Sequence, residues 1–219
     1  MAEQEGVIKY QLDHQYSNLP SGLDITQLNA WRNILYRLKL IGSIPEKYQG
    51  LGYGNVSRRL VPEGPRFLIS GSQTGQLAET GMQHYALVLA ANLENNSIKS
   101  TGLCTPSSEA LTHAGVYGQD PRIQAVIHVH SPELWCNTHR LELPYTQADI
   151  AYGTPEMAAA VQGLFDKGQL DSLNLFSMLG HEDGIVAFGT SLESAGKVLI
   201  AMLAKALALE QKALLVAKY

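Results

Sequence analysis

The chain has 219 residues, with 16 Lys and Arg against 20 Asp and Glu, and 45% of its residues are apolar. The net charge of −4 argues against a general nucleic-acid-binding protein, which would carry a basic face, and the apolar content excludes a disordered chain. The two cysteines, Cys104 and Cys136, form no CxxC pair, which excludes a disulfide scaffold and a thiolate zinc finger.

The N-terminal residues favour a loose arm that precedes one domain. Residues 1–21 are polar and irregular, and they lack the basic start and apolar run of a secretory signal. The most apolar stretch, 198–216, is interrupted by charges and predicts a packed helix rather than a membrane span. We therefore expect an irregular arm over 1–21, a single domain over 22–219, and a cytoplasmic protein that binds neither membranes nor nucleic acid.

The hydrophobic pattern then alternates irregularly between helices and strands. Helices are predicted from Ile25 to Ile41, from Thr105 to near Gly118, over 132–140, from Gly153 to Phe165, and from Gly189 onward. Strands are predicted over 55–60, 66–70, 84–93, 123–130, 173–179 and 185–188. Such a pattern favours a sheet with helices on both faces.

The most informative motif is a pair of histidines, His128 and His130, at the end of a predicted strand. Residues i and i+2 of a strand point to the same face, so the two imidazoles can bind one metal ion. Two unrelated polar side chains at a sheet edge would give the same pattern. A catalytic zinc site usually has three protein ligands. Four other histidines could supply the third, with His181 the best placed, between two apolar runs: His84, His113, His139 and His181.

A second cluster, Thr105–Glu109, contains short hydroxyl side chains and a carboxylate. Ser107 and Ser108 are expected in the first turn of a helix, where free amides and the helix dipole attract an anion such as phosphate. Glu109 in the same turn could act as a general base. An ordinary helix start would explain the same residues, and for this pattern taken alone it is the more common interpretation.

Two glycine-containing loops, 52–57 and 70–75, offer backbone amides and short polar side chains that can bind anions. Neither loop is a Walker motif or a dinucleotide fingerprint, and plain turns would explain either one alone.

Taken in chain order, these motifs resemble the class II aldolase/adducin family. The matching pieces, which span most of the chain, are Gly54–Ser57, Thr74–Gly75, Pro106–Glu109, His128–His130, and His181 with the run Gly184–Gly189. The resemblance implies an α/β fold with three α/β/α layers around a mostly antiparallel sheet. It also implies a homotetramer whose sites lie at subunit interfaces.

The resemblance implies a role for each matching residue. His128, His130 and His181 would bind one Zn²⁺ per subunit, although imidazole ligands also suit other divalent metals, and Glu109 would be the catalytic acid or base. The residues that would contact the substrate phosphate are Gly54, Asn55, Thr74, Gly75, Ser107 and Ser108. The implied function is a zinc-dependent lyase that acts on a small sugar phosphate through a metal-stabilised enediolate.

Two features of the sequence, one departure from the family pattern and one similarity to a subgroup, leave other reactions open. The family usually has His-Gly at the third ligand, whereas here Glu182 and Asp183 follow His181. The segment 147–153 is similar to an epimerase segment whose aspartate, here Asp149, is an acid or base, although its spacing from the histidine pair is shorter. The alternatives are a sugar-phosphate dehydratase or epimerase, and a non-catalytic interaction protein like adducin, which would have no need of the histidines.

Overall fold

A nine-stranded sheet with helices on both faces organises residues 6–216, which the computed structural model describes. The strands are β1 (Gln11–Tyr16), β2 (Gly42–Ser43), β3 (Gly52–Tyr53), β4 (Asn55–Arg59), β5 (Phe67–Ser70), β6 (Tyr85–Asn92), β7 (Ser97–Gly102), β8 (Ala125–His130), β9 (Tyr145–Thr146), β10 (Leu175–Met178) and β11 (Gly184–Gly189). The helices are α1 (Thr26–Arg37), α2 (Ala110–Gln119), α3 (Pro132–Trp135), α4 (Pro155–Asp166) and α5 (Leu192–Val216).

The strand order of the large sheet is β1-β7-β6-β5-β4-β8-β11-β10-β9, while β2 and β3 pair separately. All pairings in the large sheet are antiparallel except β1 with β7 and β9 with β10. The predicted fold class, α/β/α layers around a mostly antiparallel sheet, is therefore confirmed. None of the helices within residues 6–216 is long and apolar enough to cross a membrane.

The interior strand β8, which lies between β4 and β11, is buried on both faces. Ile127 and Val129 pack into the core that contains residues of α1 and α5, whereas Val126 packs into the core that contains residues of α2 and α4. His128 and His130 share the face of Val126, because side chains alternate along a strand. The histidine pair is thus directed away from α1 and α5 and towards the layer that contains α2 and α4. Glu109 directly precedes α2 on that side of the sheet.

The prediction of an irregular arm over residues 1–21 is wrong for Gln11–Tyr16, which form the edge strand β1. β1 pairs in parallel with β7, and His14 Nδ1 lies 2.8 Å from Ser100 Oγ on that strand. The side chains of β1 are mostly exposed, so this strand carries little of the apolar alternation that marks a half-buried strand. Residues 1–5 and 217–219 lie outside the described residues, and a single domain over 22–219 stays a prediction.

The sequence predicts a helix from Thr105, whereas α2 begins at Ala110. The preceding residues are held to the end of β5 instead: Pro106 forms a β-bridge with Gly71, and the Ser107 amide donates to the Ser70 carbonyl oxygen at 3.2 Å. Ser107 and Ser108 therefore lie in a turn before the helix and not in its first turn. Strand pairing has replaced the helical start that Pro106 favours.

We expect Gly196→Ala to destabilise the protein by about 1–3 kcal/mol, because α5 packs closely against α1 at this residue. A Cβ on Gly196 would lie 2.2 Å from the Trp31 ring. Gly163 in α4 has no atom within 4 Å of its added Cβ, so Gly163→Ala is the matched control. That control should stabilise the chain by up to about 1 kcal/mol, since Ala favours helix. Urea unfolding measures both, and equal stabilisation by the two changes would contradict the packing argument.

Candidate functional site

Three histidines converge where β8 and β11 pair. β11 is antiparallel to β8, with Gly184 opposite His130, and this register places the turn that carries His181 beside the end of β8. One ligand nitrogen from each of His128, His130 and His181 lies within 4.8 Å of the other two. All three imidazoles are buried. The structure thus brings the three predicted metal ligands together and places His181, rather than another candidate histidine, beside the pair.

The other candidate histidines have different surroundings. His113 Nδ1 lies 2.7 Å from Ser57 Oγ, and burial lowers the pKa of His113 to about 3. His84 accepts from the Gly81 amide at 3.0 Å, and the ring of His139 contacts Tyr145 with a centroid separation of 5.0 Å. None of the three belongs to the histidine cluster that residues 6–216 form.

The histidine cluster fits a divalent cation. The Nδ1 of His128 donates to the Ile185 carbonyl oxygen at 3.2 Å, which fixes the tautomer and leaves Nε2 as a lone-pair donor. That Nε2 atom is buried and has no hydrogen-bond partner among the described residues. The Nε2 atoms of His130 and His181 are 3.1 Å apart. Two nitrogens that bind one tetrahedral zinc ion are about 3.3 Å apart, so this separation fits shared coordination.

Burial also favours the neutral form of two of these imidazoles, those of His128 and His130. It lowers the pKa of His128 and of His130 well below the ordinary value, because a charged ring would lose its hydration, and the neighbouring His181 adds to the effect. Neutral imidazole is the form that binds a metal ion.

Glu109 lies next to this cluster, at the residue that precedes α2. It is buried, and its Oε1 lies 4.0 Å from Nε2 of His181. The Tyr10 hydroxyl donates to the Ser107 carbonyl oxygen at 2.8 Å. Burial raises the pKa of Tyr10, and the charge of Glu109 raises it further. A carboxylate in this position could exchange a proton with a molecule bound at the cluster.

The predicted phosphate-binding residues line one small cleft, which we call the polar cleft. Its lining residues are Gly6, Gly52, Gly54, Asn55, Gly71, Ser72, Gln73, Thr74, Gly75, Ser107 and Ser108. Gly54 has a φ of 75°, and a Cβ on Gly75 would lie 2.6 Å from the Tyr53 carbonyl oxygen. Both residues must therefore be glycine for the loops to approach each other this closely. Asn55 pairs with His128 across β4 and β8, so the cleft adjoins the histidine cluster.

The structure does not bring Asp149 into the cluster. This residue is exposed, and its side chain makes no hydrogen bond or ion pair with another residue of 6–216. Its segment nevertheless packs against the turn that carries His181, since a Cβ on Gly180 would lie 2.1 Å from the Ile150 carbonyl oxygen.

The inserted residue Asp183 has a structural role that the sequence did not indicate. Its side chain is 5% exposed, lies 3.0 Å from Nζ of Lys47, and accepts a hydrogen bond from the Tyr48 hydroxyl. The Tyr48 ring stands edge-on to His130, with the centroids 4.6 Å apart. Burial and the hydrogen bond to Asp183 raise the pKa of Tyr48. Asp183 therefore ties the loop before β3 to the histidine cluster.

The sequence patterns also did not predict that the N-terminal segment packs on Tyr152, beside the histidine cluster. The Val7 amide donates to the Tyr152 hydroxyl, which donates to the Val7 carbonyl oxygen, both at 3.2 Å. Nζ of Lys9 lies 3.6 Å from the centroid of the Tyr152 ring, and this ring is 4.5 Å from that of His181. These residues are polar or isolated in sequence, so no periodic pattern marks them.

The comparisons agree with this geometry. The profile of the family described as Class II Aldolase and Adducin N-terminal domain matches residues 46–210, which is most of the chain. This chain belongs to the class II aldolase and adducin family. The match includes the three histidines, Glu109 and most of the polar cleft.

The individual proteins that this chain resembles either match only part of it or have low sequence identity to it. Methylthioribulose-1-phosphate dehydratase of Pseudomonas fluorescens (strain Pf0-1) is 39% identical over 77 residues, which are 35% of this chain and 33% of that protein. The matched region thus spans about a third of that relative.

Two solved structures share the fold. One is l-fuculose-1-phosphate aldolase from Thermus thermophilus, with 20% identity, a TM-score of 0.63, and coverage of 87% of this chain and 94% of that one. The other is a sugar-phosphate aldolase from Thermotoga maritima, with 15% identity, a TM-score of 0.65, and coverage of 87% and 95%.

We expect Asp183→Asn to destabilise the protein by about 1.5–3 kcal/mol, because a buried carboxylate that accepts two hydrogen bonds is replaced by a neutral amide. The matched control is Asp13→Asn, since Asp13 is exposed and lies 3.5 Å from Nζ of Lys99. Exposed ion pairs contribute little, so this control should unfold like the unmodified chain. Chemical denaturation distinguishes the two, and equal midpoints would refute the role given to Asp183.

Proposed function

We propose that this family member is a zinc-dependent lyase of the aldolase type that acts on a small sugar phosphate. The observation that carries the proposal is the set of three buried histidine nitrogens within 4.8 Å of one another. Glu109 beside them and the polar cleft next to them support it, since they provide a proton carrier and an anion site.

In this proposal His128, His130 and His181 hold Zn²⁺, and their neutral rings leave the ion its full charge. When bound, the ion supplies Lewis-acid charge that stabilises a negative oxygen next to the reacting carbon. The Glu109 carboxylate takes a proton from the substrate and returns it.

The polar cleft would hold the substrate phosphate through the hydroxyls of Ser107 and Ser108, the side chain of Asn55, and the loop around Thr74 and Gly75. Binding energy from a phosphate that does not itself react would position the reacting carbon near Glu109. The cleft adjoins the histidine cluster through the pairing of Asn55 with His128, which supports this arrangement.

A dehydratase is the second candidate, and the similarity to methylthioribulose-1-phosphate dehydratase favours it. Both reactions need a proton moved next to a carbonyl, so the same residues would serve. An epimerase would require Asp149, and a non-catalytic adducin-like protein would require none of these residues. A homotetramer and a cytoplasmic location stay predictions.

We expect the purified chain to bind one zinc ion per protomer, and His181→Asn to lose most of that metal because only two ligands remain. His139→Asn is the matched control, since His139 is exposed and outside the cluster. Elemental analysis after dialysis against a weak chelator measures the stoichiometry. Zinc-free chain that gains no metal on addition of zinc would overturn the zinc proposal.

We expect the zinc-loaded protein to exchange the hydroxymethyl protons of dihydroxyacetone phosphate for deuterium. Glu109→Gln should slow this exchange by about 100-fold or more, because the amide cannot carry the proton. Glu193→Gln, on the exposed start of α5, is the control and should exchange normally. Proton NMR follows the signal. No exchange by zinc-loaded protein would remove the aldolase proposal and leave the dehydratase as the candidate to test.

A further inference from the structure

A buried arginine lies on the apolar face of α1. Leu28, Arg32 and Leu35 are the buried residues of this helix, and Arg32 is 2% exposed. Their spacing follows one helical face, on which an apolar side chain would be expected at the middle residue. A charged group there costs free energy unless other groups compensate it.

No carboxylate of residues 6–216 forms an ion pair with Arg32. Its Nη2 donates instead to two backbone carbonyl oxygens, that of Thr74 at 2.6 Å and that of Gly75 at 3.4 Å. The Tyr36 ring also faces the guanidinium, 5.8 Å from its centroid. These partners satisfy hydrogen bonds, but they leave the positive charge without a negative one.

The two carbonyls belong to the turn that forms one wall of the polar cleft. In a trans peptide the N–H points opposite to the C=O, so the amides of Gly75 and Gln76 point away from Arg32. Their nitrogens lie 3.1 and 3.4 Å from where a Cβ on Gly52 would stand, and Gly52 also lines the cleft. Arg32 therefore polarises two peptide groups whose positive ends lie on the cleft side.

The lining of the polar cleft contains no cationic side chain among the described residues, only glycines, hydroxyls and amides. Such a lining can form hydrogen bonds to a phosphate but supplies no formal charge. A positive charge directly behind one wall, in surroundings of low dielectric, acts over several ångströms with little screening.

We propose that Arg32 is the built-in countercharge of the polar cleft, a positioning residue that makes the site selective for a phosphate group without touching it. It holds the Thr74–Gly75 turn in place, polarises the amides of that turn, and supplies the charge that the lining lacks. The bound phosphate in turn neutralises the buried guanidinium. The inference rests on the proposed function only in identifying this phosphate with that of the substrate.

The test compares variants of the full zinc-loaded chain, with inorganic phosphate as the probe and calorimetry as the measurement. Arg32→Gln keeps a donor for the carbonyls and removes the charge, and it should weaken phosphate binding by about 10- to 30-fold. Arg32→Lys keeps the charge and should stay within about 5-fold of the unmodified chain. Arg58→Gln is the matched control, because Arg58 also donates to a backbone carbonyl, that of Asp24 at 2.9 Å, but on the surface.

A second measurement distinguishes the effect of losing the Arg32 charge from a structural effect of the substitution. Activity on a phosphorylated substrate should show a raised KM in Arg32→Gln, whereas the unphosphorylated analogue should be turned over as by the unmodified chain. Equal losses for both substrates would mean a merely structural role and would overturn the proposal. Should Arg32→Gln fail to fold, Arg32→Lys decides, since a loss of phosphate affinity beyond about 10-fold in this folded, charged variant contradicts the countercharge role.

The outcomes also separate this inference from the proposed function. Unmodified chain freed of zinc should bind phosphate like the zinc-loaded chain, which distinguishes the cleft from phosphate bound on zinc. Phosphate binding that depends on Arg32, in a protein without deuterium exchange, would support the countercharge and remove the aldolase. Unmodified chain with no phosphate affinity, or with affinity unchanged by Arg32→Gln, would overturn the countercharge and leave the metal and exchange experiments to judge the lyase.

Discussion

The pairing of β8 with its two neighbouring strands is the constraint on which the rest of the site depends. On one side β11 places Gly184 opposite His130, which brings the turn with His181 to the end of β8. On the other side β4 places Asn55 opposite His128, which brings the polar cleft to the same place. Since a slip of one residue would turn every side chain of β8 to the opposite face, both sites require this register.

Burial then determines what these residues can do. Burial favours the neutral form of the His128 and His130 imidazoles because the interior penalises their charge, and the neutral form is the one that can bind a metal ion. The same low dielectric strengthens the field of Arg32, which lies behind the cleft wall. A surface site with identical residues would have protonated histidines at mildly acidic pH and a screened arginine.

The loops around the cluster are held by contacts between residues far apart in the chain. Asp183 joins the His181 turn to Lys47 and Tyr48, and the hydroxyl of Tyr152 joins the same region to Val7. The first contact is a half-buried ion pair with an added hydrogen bond, and the second is a pair of hydrogen bonds between a tyrosine hydroxyl and the backbone of one residue. Both enclose the histidines with side chains that do not bind the metal ion in our proposal.

Sequence by itself determined the α/β class, because hydrophobic periodicity is a local property of the chain. It also determined that His128 and His130 share a face, since strand geometry dictates this at a spacing of two residues. For the third ligand it could only rank His181 above His113 and two others.

Only the tertiary structure decided among these histidines, because the answer depends on the register of β8 against β11. Likewise, β1 and the turn at Pro106 depend on pairing with distant parts of the chain. The local sequence shows little strand pattern for β1, and at Pro106 it favours a helix start instead. The buried positions of Arg32 and Asp183 also emerge only from the tertiary structure, for the same reason. A charged residue in the sequence is usually solvated, and only its packing against a distant turn shows that its charge is buried.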